Sequence, residues 1–348
     1  GGLLGSAGGA MTTAFDGLAA TSAPLPWQAP QWQQLVAALA MAKLPHALLL
    51  AGPSGTGKTR FAMALSRRLL CHEPVDGLNC GRCKGCELSR NGAHGDFRWL
   101  QPDEGSRQVK IDQVRAAIEF TTRTASYGQR KVLVIAPAEA MNVNAANALL
   151  KCLEEPSADT HLLLVCHRPQ GLPATVRSRC QQLWFPLPAD ADNLAWLEQR
   201  CGDASLAQRL LVASGSRPLA AEALLEEGAA ESLLGQQAAL QALVEGRTSV
   251  EELRGALSGL AADDLLSLMA ESARVALRSQ RVDSLRGAPV HALFEMLDDL
   301  QRLQQALRRG ANPNRDILSD ALLARYGQVL GAVQAGVTMA GTTGDVGP

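Results

Sequence analysis

The order of apolar and polar positions divides the chain into an alternating half and a helical half. Up to about residue 187, short apolar runs alternate with stretches that repeat apolar residues every three or four positions. This alternation predicts buried strands separated by amphipathic helices, as in an α/β core with a parallel sheet. Strands are predicted at residues 46–51, 131–136, 161–166 and 180–185. Helices are predicted at residues 59–70, 111–122 and 144–153.

Beyond Pro188 the strand pattern stops and only helical spacing continues. Leucines and one methionine recur at spacings of three and four between residues 291 and 309, and Gly310 provides a helix stop. Such a stripe is typical of packing in a helical bundle, and we expect packing here rather than a cofactor role. Other helices are predicted at residues 191–200, 206–214, 218–226 and 312–330.

Composition and charge narrow the class of protein. The chain has 348 residues, 47% of them hydrophobic and 19% charged, with a net charge of -1, so a globally basic nucleic-acid binder is not indicated. No apolar run reaches the roughly 18 residues needed to span a bilayer. Residues 1–10 lack the basic region of a signal peptide, and Met11 is a candidate for the native start. A cytoplasmic location is therefore expected.

A phosphate-binding loop follows the first predicted strand. The sequence Gly52-Pro-Ser-Gly-Thr-Gly-Lys58-Thr59 fits the pattern G-x-x-x-x-G-K-[ST] between a strand and a helix. Gly52, Gly55 and Gly57 would let backbone N–H groups approach phosphate oxygens. Lys58 would reach the β and γ phosphates of ATP, and the Thr59 hydroxyl would bind Mg²⁺. The alternative is a glycine-rich turn that binds no ligand.

The acids that hydrolysis needs are missing from the expected place. A P-loop ATPase carries an acidic pair at the end of a neighbouring strand, but here Ala136 and Pro137 follow residues 131–135. Glu139 comes two residues later, and we expect it to point elsewhere because Pro137 restricts the backbone. The alternative is that Glu139 takes over the role through an irregular turn.

Four cysteines form a candidate metal site. They are spaced C-x8-C-x2-C-x2-C, a spacing that favours a closed structural Zn²⁺ site whose charge Arg82 and Lys84 would offset. An iron–sulfur cluster, a redox-active C-x-x-C pair and unligated thiols are the alternatives. The proposed ligands are Cys71, Cys80, Cys83 and Cys86.

Taken with these features, three short motifs resemble the DNA polymerase III clamp-loader subunits of bacteria, members of the AAA+ family. They are Asn147-Ala-Leu-Leu-Lys151, Leu153-Glu-Glu-Pro156 and Ser178-Arg179-Cys180; residues 314–318 also resemble the last collar helix. The resemblance implies a P-loop core with a zinc insert, a small helical lid and an all-α collar. The implied divisions are an N-terminal extension at 1–26, the AAA+ core at 27–187 with its zinc module at 71–86, the lid at 188–228, the collar at 229–340 and a tail at 341–348.

Departures from the ATP-hydrolysing gamma/tau members point to the delta-prime type. Those members keep Asp-Glu where Ala136 and Pro137 stand, and a threonine where His167 stands. They also keep a lid arginine, with which Arg217 is out of step by one position. The resemblance assigns Arg179 as an arginine finger supplied in trans to a neighbour's ATP site. The alternative is that Arg179 pairs with Glu154 or Glu155.

The resemblance implies ATP-dependent loading of a sliding clamp onto primed DNA. The expected partners are gamma/tau and delta subunits, the clamp and, through the complex, DNA; no membrane is involved. One rival is an active gamma/tau-like ATPase. Another is a zinc-dependent DNA-binding module, which is disfavoured because the cysteine loop has few basic and aromatic neighbours and the phosphate loop would have no purpose.

Overall fold

The structure is a computed structural model. It describes residues 15, 17–106, 108–127, 130–257, 259–278, 287–308 and 315–342. The chain divides into two compact units, and the division falls between Asn193 and Leu194. None of the described helices is both long enough and apolar enough to cross a membrane.

The N-terminal unit is built on a parallel sheet in the order β2-β3-β4-β1-β5. Its central strands β1, β3 and β4 are buried along their whole length. Such strands must be covered on both faces, which explains why apolar residues dominate them, with polar residues only at the starts of β3 and β4. The predicted parallel α/β core is confirmed. The strands are β1 (Ala47–Ala51), β2 (Phe97–Leu100), β3 (Lys131–Ile135), β4 (Thr160–Cys166) and β5 (Gln181–Trp184).

Among the described residues, six α-helices accompany this sheet. Trp32 and Leu35 of α1, together with Phe61 of α2, pack on one face of the sheet. Val114 of α4 and Leu149 of α5 pack on the other face. The helices are α1 (Ala29–Ala40), α2 (Lys58–Leu70), α3 (Lys84–Arg90), α4 (Ile111–Thr122), α5 (Val143–Glu154) and the single turn α6 (Ala174–Arg177).

The C-terminal unit is helical throughout its described residues. The predicted helix at 218–226 is confirmed, and the long helix predicted at 291–309 is α13. The predicted tail beyond residue 342, the extension before residue 15, and Asn314 lie outside the described residues. The division between the units falls within α7 (Asp190–Cys201). The remaining helices are α8 (Ala204–Ala213), α9 (Pro218–Glu226), α10 (Ala230–Val244), α11 (Val250–Ala256), α12 (Ala262–Arg278), α13 (Ala288–Arg308) and α14 (Arg315–Thr342).

Candidate nucleotide and metal sites

The phosphate loop lies between β1 and α2 in the middle of the sheet, where glycine is required for steric reasons. A Cβ atom on Gly52 would lie 2.1 Å from the carbonyl oxygen of Phe185. Gly57 has a φ of +88°, in the left-handed region that favours glycine, and directly precedes α2. The fold therefore requires glycine at both of these positions of the loop.

Lys58 is buried and turned back onto this loop. Its Nζ donates to the carbonyl oxygens of Gly52 at 2.8 Å and Pro53 at 2.5 Å, and to Thr56 Oγ1 at 3.4 Å. Burial lowers the pKa of Lys58 to about 8, although the negative charge of Glu139 opposes the shift. The lysine is thus held by residues of the same loop that would surround the phosphate oxygens of a bound nucleotide.

Ala136 and Pro137 follow the carboxyl end of β3, as predicted. The side chain of Glu139, however, does not point away from the sheet. Both oxygens of its carboxylate accept from the backbone N–H of His167, at 3.0 and 3.2 Å. This places the carboxylate at the carboxyl end of β4, next to Cys166, whose carbonyl oxygen accepts from the N–H of Gly52 at 3.3 Å. The expectation that Pro137 aims Glu139 elsewhere is wrong, because a 3-10 turn at Ala138–Ala140 brings the side chain back toward the sheet.

The four cysteines converge as their spacing predicts. Their sulfur atoms all lie within 4.8 Å of one another, and Cys71–Cys83 and Cys80–Cys86 are each 3.9 Å apart. Cys71 follows the end of α2 and Cys86 lies on α3, so two helices position two of the four cysteines. Backbone N–H groups of Cys80, Gly81 and Cys83 also donate to sulfur. This arrangement could hold one metal ion.

Arg179 lies just beyond α6 and is exposed. Its Nε donates to Glu154 Oε1 at 2.6 Å, and its NH1 group donates to the carbonyl oxygen of Thr175 at 2.9 Å. Of the two acidic partners that the sequence offered, Glu154 is the one that forms the ion pair. The Leu-Glu-Glu-Pro and Ser-Arg-Cys motifs therefore meet on one surface.

Comparison with known proteins assigns the chain to a family. A family described as DNA polymerase III, delta subunit, matches residues 27–188. Over 325 residues the chain is 37% identical to DNA polymerase III subunit delta' of Pseudomonas aeruginosa, covering 88% of this chain and 98% of that relative. The chain belongs to the delta-prime family of DNA polymerase III subunits.

Two further relatives show how the likeness is distributed. The delta' subunit of Escherichia coli is 37% identical over 58% of this delta-prime chain and 60% of its own length. DNA polymerase III subunit tau of the same organism is 31% identical over 76% of this chain, but over only 41% of its own length. The likeness thus extends beyond the delta-prime family to the tau subunit.

Arg217, the out-of-step arginine of this delta-prime chain, forms contacts inside the helical unit. Its Nε donates to the carbonyl oxygen of Ser214 at 2.7 Å, and its NH2 group donates to Glu271 Oε2 at 3.0 Å. Glu271 lies on α12 and is buried, and Arg274 binds the same oxygen at 3.3 Å. These contacts support a structural role for Arg217, joining the α8–α9 turn to α12.

The basic side chain that is buried beside the cysteines is not one of the two that the sequence suggested. Arg82 and Lys84 are exposed and face Glu73 at 3.9 Å and Glu87 at 3.1 Å, respectively. Arg67, one helical turn before Cys71, is instead fully buried; burial lowers the pKa of its guanidinium, and the charges of Cys86 and Cys71 oppose that shift. The signal in the sequence that could have identified Arg67 is its spacing of four residues from Cys71, which is one helical turn.

Proposed function

We propose that this chain works as the delta-prime subunit of the DNA polymerase III clamp loader. It joins gamma/tau and delta subunits in the cytoplasm and helps ATP-dependent loading of the sliding clamp onto primed DNA. The observation that carries the proposal is the 37% identity to the delta' subunit of P. aeruginosa over 98% of that relative. The sheet and its phosphate loop support an AAA+ core, and the helical unit supports a lid at residues 188–228 and a collar at 229–340.

The phosphate loop provides a site for ATP and Mg²⁺. Backbone N–H groups of the loop would surround the phosphates, and the N-terminus of α2 adds the positive end of its dipole. Mg²⁺, when bound, would neutralise phosphate charge, and the Thr59 hydroxyl is the side chain that would hold it. The proposed nucleotide-binding residues are Gly52, Gly55, Gly57, Lys58 and Thr59.

The same site is poorly equipped to hydrolyse ATP. Ala136 and Pro137 offer no carboxylate at the end of β3, where a metal-binding acid and a water-activating acid are needed. Glu139 is nearby, but the backbone N–H of His167 engages both of its oxygens. We therefore propose that the chain binds nucleotide with little or no turnover.

The four cysteines are proposed to hold one structural Zn²⁺. Ligand distances of about 2.3 Å in a tetrahedron separate neighbouring sulfurs by about 3.8 Å. The two 3.9 Å separations between sulfurs agree with this geometry. An iron–sulfur cluster places several atoms between its thiolates, which would push the sulfurs farther apart. Four protein ligands leave no open position on zinc, so its part is to stabilise the fold.

Arg179 is proposed as an arginine finger that acts in trans. Its guanidinium is exposed and held by Glu154 and the carbonyl group of Thr175. An exposed ion pair is worth only about 0–1 kcal/mol, so it orients the guanidinium without preventing its transfer to a phosphate. An arginine that stabilises charge on the γ-phosphate is worth roughly 10³ to 10⁵ in rate. The pair with Glu154 is thus compatible with the finger role.

The finger is tested in a loader reconstituted from gamma/tau, delta and this chain. Arg179→Ala should leave folding and assembly unchanged but abolish hydrolysis at one neighbouring site, lowering clamp loading by at least about tenfold. Arg179→Lys should rescue poorly, because lysine lacks the planar fork. Arg177→Ala, which removes a nearby exposed arginine, is the matched control. ATP hydrolysis at the wild-type rate in assembled Arg179→Ala loader, with clamp and primed DNA present, would contradict the assignment.

The second candidate function is a gamma/tau-like ATPase. The 31% identity to tau over 76% of this chain favours it. The two candidates differ in whether the isolated chain turns over ATP, because a gamma/tau-like subunit hydrolyses at its own phosphate loop.

A further inference from the structure

One segment of the N-terminal unit contacts both the cysteine site and the phosphate loop. This segment, residues 18–28, precedes α1 and is called the strap here. We propose that Arg67 and Asn79 are positioning residues that fix the strap on the cysteine site, so that the bound metal orders the phosphate loop. The inference rests on the proposed zinc site and is independent of the arginine finger.

Arg67 holds the strap at its cysteine end. Its guanidinium donates to the carbonyl oxygens of Ala19 and Ala20, each at 2.7 Å, and to Ser22 Oγ at 2.6 Å. A fully buried guanidinium is costly unless hydrogen bonds and an opposing charge compensate it. Four thiolates around one divalent cation carry a net charge of about -2 and supply that opposition.

Asn79 contacts the strap and a cysteine ligand at once. Its Nδ2 donates to the carbonyl oxygen of Ala20 at 3.0 Å and to Cys86 Sγ at 3.4 Å. Its Oδ1 accepts from the N–H of Ser22 at 2.8 Å. Asn79 directly precedes Cys80, so a metal that fixes residues 71–86 also fixes this amide. The strap is thereby attached to the atoms that surround the metal.

The other end of the strap is packed against the phosphate loop. Gln28 is buried, and its Nε2 donates to the carbonyl oxygen of Thr56 at 2.9 Å. Trp27 Nε1 donates to the same oxygen at 3.0 Å. A Cβ atom on Gly57 would lie 2.3 Å from Leu25 Cδ1, so the strap touches the loop backbone directly. Movement of the strap would release the residues that immediately precede Lys58.

Hydrogen–deuterium exchange of the full chain tests this coupling. Removing zinc with a chelator should raise exchange by at least about tenfold in residues 18–28 and also in residues 53–57. Asn79→Ala should retain one zinc per chain and still loosen both segments, and Arg67→Lys should loosen residues 18–22 in part. Arg82→Ala is the control, because this exposed arginine of the cysteine loop faces Glu73 and should leave the strap unchanged.

A spectroscopic readout separates positioning from general stability. In the Co²⁺-substituted chain, Asn79→Ala removes a hydrogen bond to Cys86 sulfur and should move the sulfur-to-cobalt charge-transfer band to lower energy. Arg82→Ala should leave the band in place. A chain that binds zinc but whose strap and loop exchange equally with and without it would overturn this inference alone. A chain that binds no metal would overturn the zinc site as well.

Discussion

At the scale of single residues, Glu271 is a buried carboxylate that depends on its arginine partners. Arg217→Ala should lower the free energy of unfolding by about 2 kcal/mol, because it withdraws a partly buried charge partner and a hydrogen bond from Glu271. Urea unfolding followed by circular dichroism measures the loss.

The matched control is Arg274→Ala, on the other side of the same carboxylate. The Arg274 side chain is 48% exposed against 20% for Arg217, so its removal should cost less than about 1 kcal/mol. A loss for Arg217→Ala below about 1 kcal/mol, no larger than that for Arg274→Ala, would show that Arg217 contributes nothing beyond a surface ion pair.

The pKa of Lys58 predicts how ATP binding depends on pH. With a pKa of about 8, the free chain holds Lys58 charged below that pH and increasingly neutral above it. Phosphates bind the charged form, so ATP affinity should weaken roughly tenfold between pH 7 and pH 9. Isothermal titration calorimetry measures this dependence, and Lys58→Met should bind too weakly to detect.

Glu139→Gln should change the pH midpoint of ATP binding in a defined direction. The charge of Glu139 raises the pKa of Lys58 against the effect of burial, so its removal should move the midpoint to lower pH. A midpoint that moves to higher pH, or an affinity independent of pH, would show that Lys58 does not govern binding.

A single residue could be assigned a role from the sequence only when it belonged to a recognisable motif. Lys58 and Arg179 belong to patterns of neighbouring residues, and those patterns identified them as candidates. Arg67 and Glu139 belong to no such pattern, and their roles arise from contacts with residues about 28 to 50 positions away. Tertiary contacts of this kind leave no local trace in the sequence.

At the scale of elements, the cysteine loop should depend on its metal. The purified chain should contain about one Zn²⁺ per molecule by metal analysis, and Cys83→Ser should lower the zinc content and the melting temperature because metal binding is coupled to folding. Cys201→Ser, outside the cluster, is the control. Equal melting temperatures for Cys83→Ser and the wild type would show that the loop folds without metal.

Regular elements with a strong apolar pattern were predictable, and a weak edge strand was not. Strands β1, β3 and β4 each contain an apolar run of at least four residues, and each was predicted within one residue of its ends. Strand β2 has four residues, and only its two end residues are buried. It therefore contains no apolar run that the sequence could reveal. Its position comes from pairing with β3, which is a non-local interaction.

At the scale of the whole molecule, the isolated chain should show little or no steady-state ATPase activity. Ala136 and Pro137 stand where the acids are needed, and the nearby carboxylate of Glu139 already accepts from the backbone N–H of His167. A turnover of order one per second, abolished by Lys58→Ala, would instead favour the gamma/tau-like function. Measuring the chain alone excludes hydrolysis at sites that partner subunits supply.

The strand order also sets when the phosphate loop can form during synthesis on the ribosome. Strand β1 pairs with β4 and β5, and Phe185, whose carbonyl group lies against Gly52, is made more than 130 residues after the loop begins. At roughly 5–20 residues per second, the apolar β1 waits on the order of ten seconds for its neighbours. The cysteine loop closes within 16 residues and needs no such wait. Nascent chains should therefore acquire their metal well before they can bind nucleotide, and β1 is the segment that a chaperone would have to shield meanwhile.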